Sequence, residues 1–307
     1  MPSPHIKSKH PPHNLHTTKW GFQAQQKVDE ISGEGNHYTA EYWEMDPRLG
    51  RRWNRDPLED EFPWQAPYTI FDNNPINKID PTGQSAGDPS THTDKDGNVV
   101  AVYNDGDNSV YKHDGNTEET KKELSANYNK KTNTDAGGKK MGETQFWDEF
   151  INPGTKKPEG KILFNQDWGP LLNKLHTQAM DQDLVEIANN SKSSTETKTY
   201  QFDVKANKKY SPYGPMTGKK LNGKYATGRS AGNYLAGWNG RTGTYFGMSL
   251  SKFEYMNLAG AYQKKMYKGK STAFDIIFKG KTFGPAPYYG EEPYSGRMIL
   301  RGWNNGQ

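Results

Sequence analysis

Trp168-Gly169-Pro170-Leu171-Leu172-Asn173-Lys174-Leu175-His176-Thr177-Gln178-Ala179 carries a clear helical signal in this chain. Its apolar residues, continued by Leu184 and Ile187, recur near the helical period, which predicts one amphipathic helix over Pro170–Ala188, stopped at Asn189-Asn190. His176 lies inside that helix beside apolar neighbours, where a histidine is ordinarily structural. Downstream the period changes. Thr195–Val204 alternates, with Tyr200, Phe202 and Val204 on one face, and reads as a strand. Ala273-Phe274-Asp275-Ile276-Ile277-Phe278 is apolar on both faces except at Asp275 and reads as a central strand. Ser249–Lys265, between these two, has helix-compatible spacing through Leu250, Phe253, Met256, Leu258 and Tyr262. Helices and strands mixed in this way predict an α+β fold.

Towards the N-terminus, Phe146-Trp147-Asp148-Glu149-Phe150 opens this apolar pattern, and Thr117–Lys140 before it is charged and polar, as a solvated helix or an unordered segment would be. Val99–Tyr103 and Ser109–Lys112 read as two strands, with Asn104-Asp105-Gly106-Asp107 as a hairpin signal between them. Asp94-Lys95-Asp96-Gly97-Asn98 matches the opening of a calcium loop but lacks the closing Glu, so a plain turn is expected. Gln84–Asp94 has linker composition. The expected organisation is therefore 1–84, a linker region with a hairpin and a polar segment at 85–145, and a C-terminal domain at 146–307.

Composition narrows the function classes. The 307 residues are only 31% hydrophobic, with a mean hydropathy of -1.08, so the core must lean on 8 Trp, 18 Tyr and 12 Phe. With no cysteine, disulfides, thiolate metal sites and thiol nucleophiles are excluded. No apolar run is long enough to span a membrane, and Met1–Thr18 is rich in His and Pro, without the apolar core of a signal peptide. A net charge of +4 and a pI near 8.8 favour an anionic partner only mildly.

Two segments look chemical. In Gly223-Lys224-Tyr225-Ala226-Thr227-Gly228-Arg229-Ser230-Ala231-Gly232-Asn233-Tyr234, glycines allow close backbone approach to a ligand. Lys224 and Arg229 suit a phosphate, and Tyr225 or Tyr234 suits a stacked base. The same residues also suit a helix whose small side chains permit tight packing. In Tyr288-Tyr289-Gly290-Glu291-Glu292-Pro293-Tyr294-Ser295-Gly296-Arg297-Met298-Ile299, the adjacent carboxylates beside Tyr and Arg suit a general base with an electrostatic partner. Glu-Glu-Pro is equally a helix start, where acids favour the first turn.

Two resemblances give these segments a context. Lys19–Gln25, Tyr38–Trp43, Asp46-Pro47-Arg48-Leu49-Gly50-Arg51-Arg52-Trp53, Asp56-Pro57-Leu58 and Asn73-Asn74-Pro75-Ile76-Asn77-Lys78-Ile79-Asp80-Pro81-Thr82-Gly83, in this order, resemble the C-terminal end of an Rhs repeat-associated core. That resemblance implies a short β-rich core remnant, followed by a swappable effector domain after Asp-Pro-Thr-Gly. Paired Asp-Pro-x-Gly motifs cleave the chain in intact relatives. Here the first pair member reads Asp56-Pro57-Leu58-Glu59, and Gln84 stands where Leu is usual, so self-cleavage is not expected. Tyr225-Ala226-Thr227-Gly228-Arg229-Ser230-Ala231-Gly232 with Gly290-Glu291-Glu292-Pro293-Tyr294 resembles the polymorphic toxin type 44 (bacterial toxin 44) family. Departures are a missing Gly between Tyr225 and Ala226, Glu for the usual Asp pair, and no His near the first motif.

What this resemblance implies is a polymorphic toxin of interbacterial competition, a metal-independent endoribonuclease needing no cofactor. Glu291 or Glu292 would take the ribose 2′-hydroxyl proton, while Arg229 and Lys224 would bind phosphate and stabilise the developing charge. Lys224, Tyr225, Thr227, Tyr294 and Arg297 would contact substrate. Implied partners are RNA, a cognate immunity protein of acidic character, and a secretion apparatus of type VI kind or an Rhs shell supplied in trans. The toxin would leave without a signal peptide and act in the cytoplasm of a target cell. A cell-wall glycan hydrolase using two carboxylates, or an inactive displaced Rhs cassette, is the alternative expectation.

Overall fold

The structure is a computed structural model, and it describes residues 26–39, 43–55, 66–70, 89–105, 107–129, 136–146, 148–180, 182–190 and 201–305. The chain is α+β, as its mixed periodicities predict. No helix among the described residues is long and apolar enough to cross a membrane.

Its first unit is a small antiparallel meander of β1 (Gln26–Lys27), β2 (Tyr38–Thr39), β3 (Glu44–Asp46) and β4 (Arg51–Arg52), with the one-turn helix α1 (Asp29–Ser32) between the first two strands. Trp43, Met45 and Ile70 form its core. The Asp46–Gly50 motif is the turn joining β3 to β4. The Asp46 carbonyl accepts from the amides of Leu49 and Gly50, and Gly50 takes a φ of 61° that few other residues tolerate. The Asp46 carboxylate accepts from Arg48 Nη2 at 2.6 Å and from the Arg48 amide at 2.9 Å, and this side-chain bond holds its pKa down at about 2. The Asp56–Glu59 and Asn73–Gly83 motifs lie outside the described residues.

A second sheet has the order β6-β5-β7-β8, from β5 (Pro89–Thr93), β6 (Val99–Asn104), β7 (Ser109–Lys112) and β8 (Lys139–Glu143). This corrects two expectations. Part of the stretch read as linker is the buried strand β5, and the two strands read as a hairpin are not neighbours. β5 lies between them, antiparallel to β6 and parallel to β7. β5 escapes a hydrophobicity pattern because Ser90, Thr91, His92 and Thr93 are all buried polar residues, and Ser90, His92 and Thr93 have hydrogen-bond partners there. Ser90 Oγ lies 2.6 Å from Asp105 Oδ2 and 3.0 Å from His92 Nε2, and His92 Nδ1 lies 3.0 Å from His113 Nε2. Glu123, on α2 (Thr117–Asn127), reaches His113 Nδ1 at 3.0 Å without an aligned hydrogen bond. That helix begins with a capping box between Asn116 and Glu119, so the helical reading of this polar segment holds over residues 117–127. Asp94 makes the expected plain turn: its carboxylate accepts from Asp96, Asn98 and Thr117 of the same chain.

The third sheet, β11-β10-β9, consists of β9 (Lys161–Asp167), β10 (Thr217–Leu221) and β11 (Lys224–Thr227). β10 and β11 form a hairpin around Asn222-Gly223, both with positive φ, the Asn-Gly signature of a tight hairpin turn. Bridges from Asn98 to Lys161 and from Thr144 to Tyr225 join this sheet to the second, and Val110, Phe150, Ile162 and Tyr225 fill the space between them.

Helices α3 (Gly169–Ala179), α4 (Leu184–Asn190), α5 (Gly228–Thr242), α6 (Lys252–Gln263), α7 (Lys270–Lys279) and α8 (Pro293–Asn305) complete the fold. The helix expected over Pro170–Ala188 is two helices. Asp183 restarts the chain by accepting the Val185 amide at 2.9 Å, a cap inside the apolar period. His176 is buried, stacked on Trp238 and bonded to Asn239 at 2.8 Å, the structural role expected. The α6 reading holds. The strand expected at Thr195–Val204 is absent from its described part: residues 201–204 are bends and turns, although Phe202 and Val204 are buried. Residues 195–200 lie outside the described residues. The strand expected at Ala273–Phe278 is the helix α7, with Ala273 and Ile276 turned inward and Phe274 and Phe278 outward. A short apolar run does not distinguish a buried strand from a helix, and Gly280, in the left-handed conformation, is the cap that marks the helical alternative.

The main core joins α3, α5 and α8 through Trp168, Leu172, Leu175, Leu235 and Met298. Trp168 Nε1 donates to the Ala226 carbonyl at 2.9 Å and ties the sheet to this core.

Candidate functional site

Helices α5 and α8 pack in parallel and in unusually close contact. A Cβ on Gly237 would overlap the Ile299 carbonyl, and one on Gly302 would overlap the Tyr234 carbonyl, so small residues let the two backbones touch. α5 begins at Gly228, where the tight-packing reading of the small residues placed a helix, but the close backbone contact is made by Gly237, outside the segment to which that reading applied. Because the helices run the same way, their N-termini meet at one end and place two positive dipole ends side by side.

Thr227, the last residue of β11, caps α5 by accepting the Ser230 amide at 3.3 Å. On the first turn of α8, Tyr294 sends its hydroxyl into that cap, 2.5 Å from Ser230 Oγ and 3.1 Å from Thr227 Oγ1. The same hydroxyl donates to Glu149 Oε1 at 3.1 Å, and the Thr227 amide donates to that oxygen at 2.5 Å. Glu149 is 0% exposed, and its Oε2 is buried without a hydrogen-bond partner. Burial pushes the Glu149 carboxyl up, against the Thr227 amide and the hydroxyls of Ser230 and Thr227, which favour the charged form. Burial likewise raises the Tyr294 hydroxyl, helped by the charge of Glu149.

Around this buried knot stand two arginines. The Arg229 guanidinium lies over the Tyr294 ring, 3.5 Å from its centroid, and its Nε is buried without a hydrogen-bond partner. Arg297, one turn into α8 and buried, reaches both oxygens of Asp148 with Nη2 at 2.8 and 2.9 Å and lies 4.4 Å over Phe146. Burial raises the Asp148 carboxyl, while Arg297 and then Arg229 oppose the shift. Asp148 remains partly open to solvent, as does Arg229.

Glu291 and Glu292 stand just before α8. Glu291 is half-buried and accepts the Glu292 amide at 3.1 Å; burial pushes its pKa up to about 7 against that bond, with the Glu292 charge also raising it and Lys205 lowering it. Glu292 is exposed. Neither carboxylate is hydrogen-bonded to Arg229 or Tyr294.

The structure therefore gathers Thr227, Arg229, Tyr294 and Arg297, but of these four expected substrate contacts only Arg229 has solvent access, since Thr227, Tyr294 and Arg297 are buried and engaged within the protein; Glu291 stands three residues before Tyr294, and two further expected residues lie elsewhere. Tyr225 is buried at the junction of the two sheets, edge-on to Phe164, where no base can reach its face. Lys224, at the far end of β11, pairs with Glu143 at 3.2 Å. Asp148, Glu149 and Ser230 were missed. The available signal was a pair of adjacent acids set between Phe146 and Phe150. Among the described residues no three His, Asp or Glu side chains converge as a metal site. No protein-family model, curated protein or solved structure matches this chain.

Proposed function

We propose that this protein is an effector toxin whose C-terminal part cleaves RNA without a metal, behind an N-terminal segment of Rhs type. One observation carries the reading. The two motifs that resemble the type 44 toxins lie some sixty residues apart in the chain, yet Thr227-Gly228-Arg229-Ser230 and Pro293-Tyr294 form the adjoining first turns of α5 and α8. Their meeting puts Arg229, which has solvent access, beside two helix N-termini, a setting suited to an anionic phosphate, with Tyr294 beneath it and Arg297 held on Asp148.

In this reading Arg229 meets the scissile phosphate and stabilises the charge that develops on it. Glu291, its pKa near 7, takes the proton of the ribose 2′-hydroxyl. The 2′-oxygen then attacks phosphorus as the bond from phosphorus to the 5′-oxygen breaks, that oxygen takes a proton from water, and the products carry 2′,3′-cyclic phosphate and 5′-hydroxyl ends. Glu149, Ser230 and Thr227 touch no substrate. Through the Tyr294 hydroxyl they fix the ring on which Arg229 lies. Lys224, salt-bridged at a distance along β11, has at most a peripheral share in binding.

The experiment is electrophoresis of total RNA after incubation with the purified full chain, with analysis of the product ends. Defined fragments with cyclic phosphate ends, lost in Arg229→Ala and in Glu291→Gln, are expected. Intact RNA with a folded wild-type protein overturns the reading. Cleavage that survives Glu291→Gln removes that residue from the chemistry.

A further inference from the structure

Helices α6 and α7 have a core of their own and a face which that core does not use. Inward, Leu258, Ala261, Ala273, Ile276 and Phe283 pack with Tyr245 and Leu250. Outward, Lys270, Phe274 and Phe278 stand four residues apart on one face of α7, and the two phenylalanines are 51% and 67% exposed. Their ring centroids lie 4.9 Å apart. Phe246, 44% exposed, extends the row: Lys270 Nζ lies 4.5 Å over its ring, and Lys279 Nζ lies 5.5 Å from the Phe274 ring. A single exposed ring is ordinary, but three in a row with lysines over two of them make a continuous patch of one chemistry.

Within the α6–α7 segment the charge is one-sided, although the Asp183 carboxylate accepts the Gly247 amide beside Phe246 at 3.3 Å. Residues 252–281 contain seven lysines against two acids, Glu254 and Asp275. Asp275 is engaged by Lys279 at 2.8 Å and Lys281 at 3.4 Å. The centres of protein–protein interfaces are depleted in charge, whereas here the lysines lie over the rings themselves. Flat apolar surface under a cationic rim complements a polyanion that offers flat apolar groups, which is the chemistry of unpaired nucleobases on a phosphate backbone.

We infer that the outer face of α7 is a platform for single-stranded RNA. Bases stack on Phe246, Phe274 and Phe278, and Lys270, Lys279 and Lys281 contact phosphates. This rests on the ribonuclease reading and extends it from cleavage to capture of the strand. The platform belongs to the subdomain that supports the proposed base. Gly260 of α6 lies against the backbone of Tyr289 and Glu291, and Lys264 Nζ donates to the Phe283 carbonyl at 2.5 Å.

The test measures binding of a labelled 2′-O-methyl oligonucleotide of about 10 nucleotides, a length within the range of single-strand binding sites, to the full chain by fluorescence anisotropy. Without a free 2′-hydroxyl this probe cannot be cut by the proposed chemistry, so capture is read apart from cleavage of total RNA, which is assayed in parallel. Phe274→Ala/Phe278→Ala, which leaves the core untouched, is expected to weaken binding about tenfold or more. Lys270→Ala/Lys279→Ala is expected to flatten the salt dependence by roughly one to two phosphate contacts. Undiminished binding in the phenylalanine variant overturns the platform, and if RNA is still cleaved the ribonuclease reading stands without it. No binding by the wild type also overturns the platform. Binding without cleavage, lost in the phenylalanine variant, supports the platform and sinks the ribonuclease reading alone. A change of oligomeric state in that variant, with RNA binding intact, makes the face a contact between copies and overturns the proposal.

Discussion

Arg229 lies over the ring of Tyr294, its guanidinium carbon 3.5 Å from the ring centroid, while the hydroxyl of the same tyrosine points inward to Glu149 at 3.1 Å. One side chain thus joins an arginine with solvent access to a carboxyl with none. Removing only the hydroxyl separates the two roles. Tyr294→Phe keeps the ring under Arg229 and strips the Glu149 carboxyl and the Ser230 hydroxyl of a partner. The expected cost is about 1–3 kcal/mol in chemical denaturation. In the RNA assay, the KM should hold while kcat falls, because the cation is still present but its support is looser. Unchanged stability would mean that the buried hydroxyl cluster repairs itself.

The pH dependence of the folded state should report Glu291. Its carboxyl is raised from 4.5 to about 7 by burial, so the folded state binds the proton more tightly than the unfolded chain. The associated stability is complete below about pH 4.5 and is lost as pH rises through about 7, a span on the order of 1–3 kcal/mol. Glu291→Gln should flatten this slope in denaturation curves collected across that window. If the residue is the general base, wild-type cleavage should rise with pH over the same interval, and that limb should vanish in the variant.

Gly237 and Gly302 test the α5–α8 contact. Gly237→Ala sets a methyl against the Ile299 carbonyl, a backbone atom that cannot swing aside. Forcing the helices apart should cost roughly 1–3 kcal/mol or more and should also lower cleavage, since the site is built across that pair. Gly223→Ala, in open space but at a φ of 84°, serves as a comparison in which strain acts without a clash.

The buried polar chain under α2 makes a separate prediction. His92→Leu leaves His113 Nε2 without its buried partner, while Ser90 keeps Asp105, at a cost of about 1–3 kcal/mol for one such group. Hydrogen exchange should speed up in β5 and α2 before it does in α5 or α8. Uniform acceleration would show that the sheet and the helical core open together.

Some of the fold was legible in the chain because its signals are local. The spacing in α6 and the polar character of α2 need only neighbours three or four residues apart, and both readings hold over the helices observed. The same reasoning failed at α7, where an unbroken apolar run has no period to choose a backbone, and at Phe202 and Val204, whose alternation records burial in a bend. It also paired β6 with β7 across a turn signal, when the partner of both is a polar strand that no apolar pattern announces.

The α+β class can be read from local periodicity alone, and so can two motifs with Arg229, Tyr294 and Arg297 among their residues. Only the tertiary structure brought those motifs together and added Asp148 and Glu149 to them. The physical reason is separation along the chain: the bond from Tyr294 to Glu149 spans 145 residues, and that from the Thr227 amide to the same carboxyl spans 78. Local propensity carries no information over such distances. The meeting is set by the packing of α5 on α8, where glycines let two backbones touch, and by the burial of a carboxyl whose flanking aromatics gave it the look of core.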